Sequence, residues 1–144
     1  MTQITDSVFL GGAKEASSFE WLQENKITHI VNVADDCQCY FENFPAFKYL
    51  HIPIRDTENS GISTAFVPVH IFVKRMLSES ENNRVLIHCR MGVNRSATVV
   101  MSLLVSLYAM GHKEASDYVR FRRPIIGPCQ TNIDEFVLFA QKVY

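Results

Sequence analysis

The chain has 144 residues, enough for one domain that buries about two thirds of its unfolded surface and too few for a second. Apolar residues make up 47%, proline and glycine are sparse, and no repeat, low-complexity tract or linker interrupts the sequence, so the whole length is expected to fold. A formal net charge of −1 gives no reason to expect nucleic acid or an anionic membrane as a partner, although a local basic patch is compatible with it.

The first residues, Met-Thr-Gln-Ile-Thr-Asp, have neither the basic region nor the apolar stretch of a signal peptide, and the glycine that myristoylation needs is missing. The expectation is a cytosolic or nuclear protein. Residues 7–10 read as a strand ending at Gly11-Gly12, after which Ala13, Ala16, Phe19 and Leu22 recur at helical intervals to residue 25. Residues 27–33 are β-rich and nearly all apolar, as in a strand covered on both faces by helices. Asn32 is its one polar interior residue. Residues 34–45 form a loop with Asp35, Asp36, Cys37, Cys39 and three aromatics, Tyr40, Phe41 and Phe44, which either pack inward or line a rim. Residues 47–54 are another strand with Pro53 near its end, and 55–61 are a polar loop of the functional sort.

Phe66, Val69, His70, Val73, Met76 and Leu77 fall on one face of an amphipathic helix, with Pro68 close to its start. This helix is the crossover that returns the chain to a central strand at 84–88. A buried helix runs from Ser96 to Met110, with Gly111 as a left-handed cap; its apolar stretch is shorter than the ~20 residues a bilayer span needs. A helix from about Lys113 is broken at Pro124, and a last one begins near Thr131 with Ile133, Phe136, Val137 and Ala140 on one face. The predicted architecture is a three-layer α/β domain: a mainly parallel sheet of four to five strands with helices on both faces. Sites in such sheets lie beyond the carboxyl ends of the strands.

Residues 84–96, Arg-Val-Leu-Ile-His-Cys-Arg-Met-Gly-Val-Asn-Arg-Ser, occupy that position. Between strand and helix, the seven residues from Cys89 to Arg95 can curl until their N–H groups face one centre, with Gly92 permitting the curvature and the helix dipole adding to the field. A dianion fits there. A thiol among such donors and a guanidinium favours its thiolate form, which makes Cys89 the candidate nucleophile. The planar fork of Arg95 can hold two phosphoryl oxygens as they spread toward a trigonal bipyramid. An alkoxide leaving group also needs a carboxylic acid; Asp56 follows a strand end on the same sheet edge, 33 residues before Cys89, with Asp35 and Asp36 as rivals.

The run His88-Cys89-Arg90-Met91-Gly92-Val93-Asn94-Arg95-Ser96 resembles the His-Cys-x-x-Gly-x-x-Arg-Ser/Thr loop of cysteine-based protein tyrosine phosphatases, and its flanks are most similar to the small dual-specificity phosphatases. The resemblance implies hydrolysis of phosphotyrosine and phosphoserine/threonine in protein substrates through a cysteinyl-phosphate. In it, Cys89 is nucleophile, Asp56 acid then base, and Arg95 binds phosphate with the backbone of Arg90, Met91, Gly92, Val93 and Asn94. Ser96 assists departure of the thiolate or simply caps the helix, and His88 orients the loop. Asn32 is either a satisfied buried amide or a brace for that loop. The chemistry requires no metal or cofactor, and Cys37-Gln38-Cys39 has no second pair at zinc spacing. Oligomeric state and physiological substrate are not legible.

Two positions depart from the pattern: Asn94 stands where many relatives have serine, and Cys129 follows Gly127-Pro128 where relatives commonly carry asparagine. Cys129 is either a resolving partner for an oxidised Cys89 or an inert thiol. Phosphoinositide phosphatases, RNA 5'-triphosphatases and a non-hydrolysing phosphoresidue-binding module are the competing readings. The first tend to carry lysines in the loop, the second have a leaving group that does not demand Asp56, and the third have lost the cysteine or the acid.

Overall fold

The computed structural model describes residues 2–143. Five strands form one sheet in the order β1-β2-β5-β3-β4, from β1 (Thr2–Gln3), β2 (Val8–Gly11), β3 (His29–Asn32), β4 (Lys48–His51) and β5 (Val85–His88). All pairs are parallel except β1 with β2, where Thr2 faces Leu10. The sheet is thus mainly parallel, as the near-continuous apolar strands demand. The antiparallel edge strand β1 is the one strand the sequence did not announce, because two residues carry no periodicity.

Alternation along the strands divides the core in two. Val8, Leu10, Val31, Val85 and Ile87 face a large cluster built with α3 (Phe66–Glu79), α4 (Arg95–Ser106), α5 (His112–Arg122) and α6 (Gln130–Val143). Phe9, Ile30 and Leu86 point the other way, onto α1 (Ala13–Ala16), α2 (Phe19–Glu24) and Phe47. These are the three layers. Phe41 and Phe44 pack with Phe19, the centroids 5.6 and 5.5 Å away, so these two aromatics of the 34–45 loop serve the second face, whereas Tyr40 stays 36% exposed.

Two expected helices differ in detail. The stretch from Ala13 breaks at Ser17-Ser18, where the Ser18 hydroxyl accepts the Trp21 N–H at 3.1 Å and starts a new helix. The buried helix α4 ends at Ser106, not Met110. Its closing residue in the left-handed region is Ala109 (φ 58°), with the Met110 N–H donating to the Leu104 carbonyl at 3.1 Å. Gly111 has φ −70° and instead caps the start of α5. No helix among the described residues is long and apolar enough to cross a membrane.

The register sets the site. Gly11, His88 and Asn32 are paired across β2, β5 and β3 at the carboxyl ends of those strands, and β5 runs straight into the loop that leads to α4. The crossover α3 is preceded by a 3₁₀ turn at Ile62–Ala65, which leaves residues 55–61 beside the same edge.

Candidate active site

The curl of the 89–95 loop is held from outside. Its carbonyls are tied outward one after another: Arg90 O accepts the Ala13 N–H at 2.8 Å, Gly92 O accepts Arg123 Nε at 2.9 Å, and Val93 O accepts the Gly127 N–H at 2.9 Å. Met91 O accepts Arg123 Nη2 at 3.4 Å, and Asn94 O accepts the N–H and hydroxyl of Thr98 at 3.0 and 2.8 Å. Alternate sides of each peptide unit then carry carbonyl and amide, so the N–H groups are turned toward the loop's interior. The Gly92 N–H, 3.3 Å from Cys89 Sγ, shows that direction. Gly92 has φ 67°, and a Cβ on it would lie 2.7 Å from Gly11 and 2.8 Å from Arg123 Nη2, so glycine is required twice over.

Cys89 is 2% exposed, and its Sγ lies 3.1 Å from Ser96 Oγ, which in turn reaches Gly11 O at 3.4 Å. Ser96 lies inside the first turn of α4, and Asn94 occupies the capping position, so the hydroxyl is not the cap. His88 is buried, its Nδ1 3.2 Å from Cys89 O; burial, only partly offset by that contact, pushes it down to about 4. It is neutral at pH 7.

Arg95 is 1% exposed, and its guanidinium is asymmetrically engaged. Nη1 donates to Ile54 O at 2.8 Å and pairs with Asp36 at 2.9 Å and Asp35 at 3.5 Å, while Nη2 lies 4.0 Å from Asp56 Oδ2. Nε is buried without a hydrogen-bond partner. A buried unsatisfied donor on a cation is costly unless a ligand accepts it. Burial works against charge on both members of the Arg95–Asp36 pair. Their mutual hydrogen bond and attraction, aided by other charges, prevail, holding Asp36 below the usual carboxylate range and Arg95 above its ordinary value. Asp35 and Asp36 are therefore partners of Arg95 and not merely solvated loop carboxylates.

Residues 8–142 match the family model described as dual specificity phosphatase, catalytic domain. The chain belongs to this family. It is 34% identical over 127 residues to a Slingshot homolog protein phosphatase of Xenopus laevis, covering 88% of this chain and 18% of that protein. It is 33% identical over 128 residues to mouse dual specificity protein phosphatase 14, covering 89% and 63%. Human DUSP28 superposes with a TM-score of 0.91 at 20% identity over 99% of this chain and 97% of that one, a likeness of fold. The chain spans less than a fifth of the length of the first three curated relatives it matches, two Slingshot phosphatases and a leucine-rich-repeat MAP kinase phosphatase of Dictyostelium discoideum.

Within this dual-specificity phosphatase domain, Cys89, Arg95, Ser96 and Asp56 converge, and Gly92 and the backbone of 90–94 form the enclosing ring. The side chains of Arg90 and Met91 point to solvent, Met91 being 66% exposed. Asn32 does not reach the ring: its Nδ2 donates to Cys37 O at 2.9 Å and Gln38 O at 3.3 Å, and its Oδ1 accepts the Ala34 N–H at 3.0 Å. It is a satisfied buried amide that shapes the neighbouring loop carrying Asp35 and Asp36. Sequence reasoning missed Gly12, Arg123 and Asn132. Gly12 touches the loop backbone, Arg123 grips two of its carbonyls, and Asn132 donates to Asn94 Oδ1 at 2.9 Å. The sequence marked Gly12 only as part of the Gly11-Gly12 strand end and Arg123 only as the residue before the helix-breaking Pro124, and it did not mark Asn132. The Cys129 N–H also donates to Asn94 Oδ1, at 2.9 Å, a contact made by the backbone and therefore independent of the side chain at position 129.

Proposed function

We propose that this domain hydrolyses phosphotyrosine and phosphoserine/threonine monoesters in proteins through a cysteinyl-phosphate. The observation that carries the reading is the ring itself: a buried sulfur among inward amides, beside a fully buried arginine whose Nε has no partner. Phosphate oxygens supply the acceptors that such donors need. Cys89 Sγ attacks phosphorus as thiolate, the P–O bond to the substrate breaks, and the leaving oxygen takes the proton of Asp56. Asp56 then removes a proton from the water that attacks the thiophosphate, and the S–P bond breaks with the Ser96 hydroxyl hydrogen-bonding the departing sulfur. Arg95 and the loop amides stabilise the equatorial oxygens in both steps. Asp56 is favoured over Asp35 and Asp36 because those two sit against Arg95 Nη1, at 3.5 and 2.9 Å, and, despite burial, the guanidinium beside Asp36 holds its carboxyl below the usual carboxylate range.

The dual substrate range is supported by membership of the family, and the partners proposed are phosphoproteins. Four free cysteines support a reducing compartment, cytosol or nucleus. The test is turnover of p-nitrophenyl phosphate and of a phosphopeptide by wild type, Cys89→Ser and Asp56→Asn. Wild type releases phosphate, the serine variant releases none, and the asparagine variant loses about 10²-fold or more. A wild type that binds phosphopeptide and never releases phosphate would identify a binding module instead.

A further inference from the structure

We propose that Asn94 is the positioning residue of the general acid: its side-chain amide holds Oδ1 of Asp56, so that Oδ2 carries the proton the leaving group takes. The inference rests on the reading of Asp56 given above. Asn94 Nδ2 donates to Asp56 Oδ1 at 2.7 Å, one of the shortest contacts at the site. The orientation of that amide is dictated by its surroundings. Its other end faces the Cys129 backbone N–H at 2.9 Å, a group that can only donate, so the atom there must be the carbonyl oxygen. The same oxygen accepts Asn132 Nδ2 at 2.9 Å, and Asn132, fully buried, accepts from Ser60 Oγ at 3.5 Å through its own oxygen. Nδ2 of Asn94 is left pointing at Asp56.

Both ends of this contact are anchored. Asn94 caps α4, its carbonyl taking both donors of Thr98. The segment after Asp56 is fastened to the start of α6: the Asn59 N–H donates to Thr131 Oγ1 at 2.9 Å, and the Thr131 N–H to Glu58 Oε2 at 3.2 Å. The Ser63 N–H reaches Glu135 Oε1 at 3.1 Å. Asn94 is where the acid loop, the phosphate loop and α6 meet.

A neutral carboxyl has one O–H oxygen and one carbonyl oxygen, and an N–H donor prefers the carbonyl. The donor at Oδ1 therefore puts the proton on Oδ2, the oxygen 4.0 Å from Arg95 Nη2. Without the amide, the carboxyl rotates and its proton is shared between two positions, only one of them productive. The loss should grow with the basicity of the leaving group, since a phenoxide that leaves readily needs the proton least.

The experiment measures kcat for a phosphoserine peptide and for p-nitrophenyl phosphate with wild type, Asn94→Ala, Asn94→Ser, Asp56→Asn and the double variant Asp56→Asn/Asn94→Ala. Asn94→Ser keeps an uncharged polar group at the loop but is too short to hold Asp56 Oδ1, which guards against a misfolded alanine variant. Both Asn94 variants should lose about 10-fold more on the peptide than on p-nitrophenyl phosphate, and the double variant should lose no more than Asp56→Asn alone. Equal losses on both substrates, or losses that multiply in the double variant, overturn the inference. If Asp56→Asn itself shows no difference between the substrates, the acid assignment falls and this inference with it; if Asp56→Asn shows it and the Asn94 variants do not, the inference alone fails.

Discussion

Gly12→Ala should disable the site without touching any reacting group. A Cβ at Gly12 would stand 2.6 Å from Arg90 O, 3.0 Å from Met91 C and 3.2 Å from Met91 Cα, all backbone atoms of the 89–95 loop. A carbon tolerates a carbonyl oxygen at about 3.3 Å, so the two segments must part by about 0.7 Å. They are joined where they meet, because the adjacent Ala13 N–H donates to the same Arg90 O at 2.8 Å. The backbone of Gly12 (φ −122°, ψ −169°) suits any residue, so the effect is contact and not conformational strain. Overpacking of this kind costs about 1–3 kcal/mol, and displacing a catalytic loop by most of an ångström costs about 10²-fold in kcat/KM. Gly111→Ala is the control, since nothing lies within 4 Å of its Cβ position and its φ is −70°. Urea unfolding and p-nitrophenyl phosphate turnover measure both effects. A Gly12→Ala protein as stable and as active as the Gly111→Ala control would refute the claim that this contact shapes the loop.

Two further outcomes follow from buried charge. Arg123→Leu leaves Gly92 O and Met91 O without their cationic donor; unfolding in urea should register a loss of about 2–3 kcal/mol, and phosphate analogues should bind more weakly as the ring loosens. His88, pushed down to about 4 chiefly by burial, binds a proton in the unfolded chain near 6.5 but not in the folded one. Its contribution is therefore complete above about pH 6.5 and falls by about 3 kcal/mol as pH drops to about 4. Urea midpoints measured across that window should decline with falling pH, and His88→Gln should flatten the decline; an unchanged slope in that variant would assign the effect to other groups.

The residues proposed to do the chemistry were legible because chemistry constrains them locally. Cys89, Gly92, Arg95 and Ser96 share one strand-loop-helix turn, and each had a physical reason to be its residue type at that spacing. Topology pointed to Asp56, with Asp35 and Asp36 as rivals, as a carboxylate after a strand on that edge, and all three lie within 4.0 Å of Arg95. What supports them came from elsewhere in the chain: Arg123 arrives from α5, Gly12 from the β2–α1 junction, Asn132 from α6, and Asp36 from the β3 loop. Asn32 illustrates the converse. A lone amide in an apolar strand announced a bonding need, but only the path of residues 34–39 decided which carbonyls met it. Likewise the chain reverses after α4 at Ala109 (φ 58°) rather than at the more permissive Gly111 (φ −70°), which the local sequence did not foretell.

The amino-acid order alone determined the layered sheet, through apolar runs of strand and helix length, and the anion-seeking loop, through a glycine, a cysteine and an arginine within seven residues. Tertiary structure decided which carboxylates face the guanidinium, which carbonyls are pulled outward and which amide is fixed against Asp56. The division follows from range: hydrophobic period and turn geometry act between near neighbours, whereas hydrogen-bond partners for a buried polar group are chosen by whatever the fold brings within reach, here from tens of residues away.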